Sequence, residues 1–192
     1  MSLYSGQSIR AFLDKLASRE PVPGGGSAAA IAGAMGAHLA LMAARISEKR
    51  MKSKEDAEKL AHLIEALEKL APKIVQVIDE DPKIFKKLSR LYQKKAEKPA
   101  LDRALADCFQ VQASLAFLIL MALAVNWELD GFLSGSIKSD LAVSRSLLRA
   151  AFEGAEVLCE VNLKYIQDPK RKADLSNELK KLRDEWSKKP NS

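Results

Sequence analysis

Residues 21–30 read PVPGGGSAAA, and the chemistry they offer is that of the peptide backbone. Three consecutive glycines, Gly24, Gly25 and Gly26, run straight into an alanine-rich stretch that reads as helix. The start of a helix carries N–H groups with no intrahelical partner, at the positive end of the helix dipole. Such a terminus takes a phosphate, a carboxylate or a developing negative charge. Glycine keeps that approach open, because it has no Cβ and reaches φ > 0. Ser27 adds a hydroxyl donor or caps the helix. The competing reading is a flexible connector between two helices, which leaves unexplained why a surface linker would open into the most buried helix of a fold. No Lys-Ser/Thr pair follows the glycines, so the segment is not a P-loop.

The other chemistry-bearing side chains are few. His38 and His62 are the two histidines. An imidazole titrates near pH 6.5 and suits proton shuttling. A lone histidine in a packed helix, as at His38, equally serves a core or an interface, and His62 beside an apolar stripe reads as partly exposed. With no Cys or carboxylate at ligand spacing, neither suggests zinc. Cys108 and Cys159 lie in apolar helical contexts without CxxC spacing, as reduced thiols of a cytosolic protein do.

The elements that must position these groups are all helical. Ile9, Phe12, Leu13 and Leu16 stand at helical spacing in a first helix that REPVPGGG ends. Ser27 to about Ser47 is a second helix, apolar nearly all round, whose faces should all be covered. Gly33, Gly36 and its alanines let neighbours approach closely. A capping signal at Ser53 opens a long amphipathic helix through Leu60, Leu63, Ile64, Leu67, Leu70, Ile74 and Ile78. DEDPKIF should break it and start another, with Asp81 as N-cap and Pro82 in the first helical position. A helix from about Pro99 to Trp127 follows, then a Gly/Ser loop. The next helix begins around Ser139 and Asp140 and runs to about Ile166, and a charged C-terminal helix or tail covers residues 170–192. No strand signal survives. The expected fold is an all-α antiparallel bundle of about five core helices in one domain over residues 1–192.

Composition narrows the function classes. The 31 Lys and Arg against 25 Asp and Glu give +6, with Lys and Glu interleaved along helix faces as on solvated surface. That pattern argues against a nucleic-acid partner and suits an anionic small substrate. The most apolar run, residues 113–125, has 13 residues, short of the roughly 20 that span a membrane. It reads as a helix buried at the centre of a bundle. The start MSLYSGQSIR lacks the basic and apolar regions of a signal peptide, so a cytoplasmic protein without membrane association is expected.

PVPGGGSAAAIAGAMGAHLALMAA resembles the opening of the formiminotransferase-cyclodeaminase C-terminal domain and its stand-alone relatives, the methenyltetrahydrofolate cyclohydrolases. IDEDPKIF is similar to that family's Asp-x-Asp-x-x-x-Phe segment. SDLAV, followed by EGAEVLCEVNLKYIQD, resembles its Ser-Asp segment and closing Asn-Leu-Lys. The resemblance covers roughly residues 5–168. It implies a helical bundle that forms dimers or larger assemblies, binds a reduced folate as an anionic substrate, and cyclises or hydrolyses a one-carbon unit without a metal or redox cofactor. It places a catalytic carboxylate at Asp79 or Asp81, and Asp140 is either a further site carboxylate or a cap. Pro23, Gly24, Gly25, Gly26 and Ser27 would bind substrate with Ser139 and Lys138, and Lys49, Arg50 and Lys52 are further cations for its anionic tail. The chain also departs from the pattern. Leu133 and Ser134 stand where the family has Gly-Asn, Leu158 where it has Asn, and Leu41 where it has Glu. A proline near DCFQVQ is missing, and the stretch between Phe85 and Pro99 is shortened. Those losses keep open a second reading, a non-catalytic helical dimerisation or interaction protein on the same fold.

Overall fold

The computed structural model describes residues 3–188 and contains six α-helices, with no strand among the described residues. They are α1 (Ile9–Leu16), α2 (Gly25–Glu48), α3 (Lys54–Gln93), α4 (Lys98–Leu129), α5 (Ile137–Tyr165) and α6 (Pro169–Ser187), preceded by a 3-10 turn at Tyr4–Gly6. Short connections between long apolar helices favour antiparallel neighbours. Accordingly α2, α3, α4 and α5 pack in a ring, each against the two beside it. Contacts fix the directions: Ser27 meets Asp81 while Arg45 meets Glu68, and Gln112 meets Asp81 while Lys87 meets Asp107. The fifth core helix, α6, lies outside α4 and α5. It buries Leu175, Leu179 and Leu182 and stacks Trp186 on Phe152 at 4.1 Å.

Close approach of α2 to its neighbours depends on absent side chains. A Cβ on Gly36 would come within 2.8 Å of Leu148 Cγ and 2.9 Å of the Ser144 carbonyl. The pairing of Gly36 with Ser144, and of Gly25 with Leu158, shows α2 and α5 antiparallel along their length. Under the far end of α2, buried polar groups tie three helices together. The Ser144 hydroxyl donates to the Gly36 carbonyl (2.7 Å), Asn126 Nδ2 donates to Ser144 Oγ (2.9 Å), and Arg145 Nε donates to Asn126 Oδ1 (3.0 Å).

Two expectations are corrected. DEDPKIF does not interrupt the third helix, which is continuous over 40 residues with Pro72 and Pro82 inside it. A proline lacks the N–H that would bond the carbonyl four residues back. For Pro82 that carbonyl belongs to Ile78, and the Ser27 hydroxyl donates to it at 2.9 Å. A partner from another helix thus takes the acceptor that the proline frees, and the helix continues.

The second correction concerns coverage. α2 is not covered on every side. Ala28, Ala32, Met35, Leu39, Met42 and Ile46 recur at alternating spacings of four and three, and Met35 is 55% exposed. On α5, Val143, Leu147, Ala150, Gly154, Val157 and Val161 follow the same rhythm and lie exposed or half-exposed. The two stripes are neighbours and form one apolar face. The 113–125 run is buried as expected except for exposed Ser114, Phe117 (55% exposed) and Met121 (44%) and half-buried Leu118 and Ala124, which line a groove between α4 and α6. By length and composition α2 and α4 would each suffice to cross a membrane, but 61% of each apolar stretch is buried inside the bundle.

Candidate functional site

Gly24 is the N-cap of α2, with no side chain to close the first turn. Among the described residues the N–H groups of Gly25 and Gly26 have no partner, and that of Ser27 donates to Asp81 Oδ2 at 3.2 Å. The Ser27 hydroxyl lies 3.4 Å from the same oxygen, and Gln112 Nε2 donates to Asp81 Oδ1 at 2.8 Å. Asp81 is therefore a capping residue, as its position before Pro82 suggested, but it caps α2 and not a helix of its own. Gly26 is what lets the carboxylate approach. A Cβ there would stand 2.1 Å from Asp81 Oδ1 and 2.4 Å from Gln112 Nε2.

The electrostatics of this carboxylate are a balance. Burial raises the Asp81 pKa above the usual carboxylate value, because desolvation disfavours the charged form. The hydrogen bonds from Ser27 and Gln112 pull it back down without cancelling the rise. A half-buried carboxyl held at a helix terminus, with its proton affinity raised toward neutrality, suits general acid–base work. Gln112, 2% exposed, also presents a buried Oε1 with no partner among the described residues. Sequence reading missed Gln112. The available signal was a glutamine on the apolar side of α4, since such a residue is seldom buried without a bond to make.

The other expected site residues divide. Pro23 is buried behind the glycines, after a cis Val22–Pro23 peptide. Asp79 points away from Asp81, as residues two apart on a helix must. It accepts hydrogen bonds from the Tyr4 and Ser5 N–H groups and the Ser5 hydroxyl, and so holds the N-terminal turn against α3. Lys138, Ser139 and Asp140 stand in the first turn of α5. Ser139 Oγ donates to the Ser136 carbonyl, and half-buried Asp140 makes no hydrogen bond or ion pair among the described residues. They lie at the opposite end of the bundle from the glycines, a separation of roughly 27 Å at 1.5 Å per helical residue. One chain therefore assembles Gly24, Gly25, Gly26, Ser27 and Asp81 with Gln112, and leaves Asp79 and Asp140 outside.

The departures also take positions. Leu158 packs against the start of α2, 3.8 Å from where a Gly25 Cβ would lie, whereas Leu41 and Leu133 are buried at the Asp140 end. His38 is exposed and its Nδ1 bonds the Ala34 carbonyl at 2.8 Å; His62 is exposed. Lys49, Arg50 and Lys52 follow the C-terminus of α2, also at the Asp140 end. Cys108 and Cys159 are free, and burial pushes both thiols up to about 12. No cluster of three or more metal-ligating side chains occurs among the described residues.

Comparison with known proteins bears on this arrangement. The chicken formimidoyltransferase-cyclodeaminase is 29% identical over 191 residues, matching 92% of this chain and 34% of that protein. The methenyltetrahydrofolate cyclohydrolase of Methylorubrum extorquens is 40% identical over 79 residues, or 41% of this chain and 38% of that one. The chain thus spans about a third of the length of the curated relatives it matches. A crystal structure of formiminotetrahydrofolate cyclodeaminase from Thermotoga maritima superposes with a TM-score of 0.88 at 25% identity, covering 95% of this chain and 91% of that one. The helical bundle, the glycine segment and the carboxylate seated on it lie within residues 8–181, which match the formiminotransferase-cyclodeaminase family model, and the chain belongs to that family.

Proposed function

We propose that this protein is a folate-dependent one-carbon enzyme of the cyclodeaminase or cyclohydrolase type, with Asp81 as its proton-transferring group and residues 24–27 as the seat of an anionic substrate. The observation that carries the reading is the Asp81 carboxylate held by the Ser27 N–H and Gln112 Nε2, beside two unpartnered backbone N–H groups. The cyclodeaminase and cyclohydrolase named among its relatives support it.

The chemistry asks little more of the site. In 5-formiminotetrahydrofolate, N10 attacks the carbon of the formimino group, whose nitrogen is protonated, and gives a tetrahedral adduct. One proton must then pass from N10 to the amino nitrogen, which leaves as ammonia, and 5,10-methenyltetrahydrofolate remains. A single carboxyl group makes that transfer, accepting from N10 and returning the proton to the leaving nitrogen. For hydrolysis of the methenyl compound the same carboxylate takes a proton from the attacking water. Proximity of N5 and N10 within one molecule supplies much of the rate. The protein acts as a cytoplasmic homodimer or larger assembly, with no nucleic-acid or membrane partner and no metal.

Calorimetric titration with tetrahydrofolate and its 5-formyl analogue, together with turnover of the 5-formimino and 5,10-methenyl compounds, tests the reading. Binding that Gly26→Val abolishes, and turnover that Asp81→Asn lowers by about 100-fold or more, are expected. A folded protein that binds neither folate overturns it.

A further inference from the structure

We propose that α1, the N-terminal turn and the second half of α3 frame an anion site separate from residues 24–27. Its ligand is a compact molecule of three or more negative charges, such as a di- or triphosphate, held between Lys15 of α1 and Lys83, Lys86 and Arg90 of α3. The site does not depend on the function proposed above.

Three observations carry it. The first is a break in the charge pattern. In the first half of α3 the lysines pair with acids one turn away, as Lys54 does with Glu58, Lys59 with Glu55 and Lys69 with Glu65. Residues 82–96 carry Lys83, Lys86, Lys87, Arg90, Lys94 and Lys95 and no Asp or Glu. The interleaving of Lys and Glu expected from the sequence is absent here. Lys87 crosses to Asp107 of α4 at 2.7 Å, whereas Lys83 and Arg90 make no ion pair among the described residues. Lys83, Lys86 and Arg90 follow one another at spacings of three and four, where like charges on a helix repel.

The second is shape. These cations do not stand on an open helix face. The 3-10 turn and α1 lie against α3 and leave a hollow of ≈ 330 Å³ whose lining includes Lys15, Lys83, Lys86, Arg90, Tyr4 and Asp79. A neighbouring hollow of ≈ 230 Å³ shares Tyr4, Lys15 and Lys86 and continues to Glu20 and Val22. The first volume is at the lower end of small-molecule pockets, which suits a compact ligand better than a long polyanion. Charge of one sign in a cleft with low-dielectric walls concentrates the field inside it.

The third is how the walls are held. Asp79 is the carboxylate that lines the first hollow, and it accepts hydrogen bonds from the Tyr4 and Ser5 N–H groups and the Ser5 hydroxyl. It therefore fixes the turn and leaves the cations in excess. Lys15 Nζ stands 5.4 Å from the Tyr4 ring centroid, and the Tyr4 hydroxyl donates to the Val22 carbonyl at 3.4 Å. A wall built this way is in place before a ligand arrives, which lowers the cost of binding. The guanidinium of Arg90 offers a planar fork to phosphate oxygens, and the lysines offer point charges.

Calorimetric titration of the full-length protein with sodium tripolyphosphate at low salt tests this. One-to-one binding is expected, with the melting temperature raised by about 5 °C at about 100 times the dissociation constant. Lys83→Gln and Arg90→Gln each remove a charge-assisted contact and should weaken binding by about 10-fold. The double variant Lys94→Gln/Lys95→Gln removes two charges from the same strip outside the hollow and should weaken it by about 3-fold or less. All four side chains are exposed, so the variants keep their fold. No binding, or a loss in the 94/95 variant equal to that at 83 or 90, overturns the site.

Saturating tetrahydrofolate then separates this site from the seat of the substrate, because the second hollow ends at Val22, close to Gly24. Unchanged tripolyphosphate binding is expected. Displacement would make the hollow part of the substrate's seat and overturns a separate site. If the protein binds no folate, the function proposed above fails, and the tripolyphosphate titration of the variants still decides this proposal.

Discussion

At the scale of single residues, Asp81 is governed by two opposed terms whose balance can be shifted by mutation. Burial raises its pKa and the Gln112 and Ser27 hydrogen bonds lower it. Gln112→Leu removes a bond that favours the charged form, so the acid limb of kcat/KM should move to higher pH while Asp81 stays in place. A limb that stays put would mean that Asp81 is not the titrating group. The stability consequence has a defined sign. A carboxyl whose folded pKa is raised contributes stability below its unfolded value of about 3.9 and loses it as pH climbs through the folded value. The melting temperature of Asp81→Asn relative to wild type should therefore increase between pH 4 and pH 7. Gly26→Ala tests the geometry behind the balance. Its Cβ would stand 2.1 Å from Asp81 Oδ1, and overpacking of this kind costs about 1–3 kcal/mol, so activity and thermal stability should fall together. Gly25→Ala meets only Leu158 at 3.8 Å and should cost little stability. The glycine run and the acidic DED segment were each legible in the sequence. That a particular glycine faces a particular carboxylate was not, because residues 26 and 81 meet only through the packing of two helices.

At the scale of elements, helix periodicity located nearly every segment, and the one break it misplaced shows what a local reading lacks. Pro82 reads as a helix start because its missing N–H is harmless there. Inside α3 the same residue frees the Ile78 carbonyl, and the answer to that deficit sits 51 residues earlier, in the hydroxyl of Ser27. No window along the chain contains both. The pairing predicts an interaction energy between the two positions. Ser27→Ala alone strands a buried carbonyl and weakens the cap from Asp81, at a cost of about 1–3 kcal/mol. In the Pro82→Ala background the helix can supply its own N–H to Ile78, and Ser27→Ala should then cost less. A double-mutant cycle by urea unfolding should show coupling of about 1 kcal/mol. Additive costs would mean that the hydroxyl is not what makes the proline tolerable. Asp102 plays a related part between elements: buried on α4, it accepts from the Gln167 and Asp168 N–H groups at 2.9 and 2.8 Å and fixes the turn from α5 into α6. Its sequence neighbourhood gives no hint of that role, because both donors are backbone groups 65 and 66 residues away.

At the scale of the whole molecule, two apolar surfaces remain after folding, and either is where the second copy of the proposed homodimer would pack. One is the α2/α5 face; the other is the groove where Phe117 and Met121 of α4 meet Leu182 of α6. Composition could not separate them, since α2 and α4 are both apolar nearly all round and differ only in which neighbours the fold gives them. Their surroundings do differ. The groove is flanked by Glu178, Lys181 and Glu185 within a few residues of one another, a mixed rim with no polarity along its length. The α2/α5 face instead presents two neighbouring stripes of apolar side chains, Ala28 to Ile46 and Val143 to Val161. Met42→Glu places a carboxylate within that face, where association would have to bury it unpaired. It should weaken the dimer by about 100-fold or more in dissociation constant, read by sedimentation equilibrium, while helical content is unchanged because Met42 is 40% exposed in the single chain. Phe117→Glu makes the same change in the groove and should leave the dimer intact. If the two variants exchange behaviours, association runs through α4 and α6.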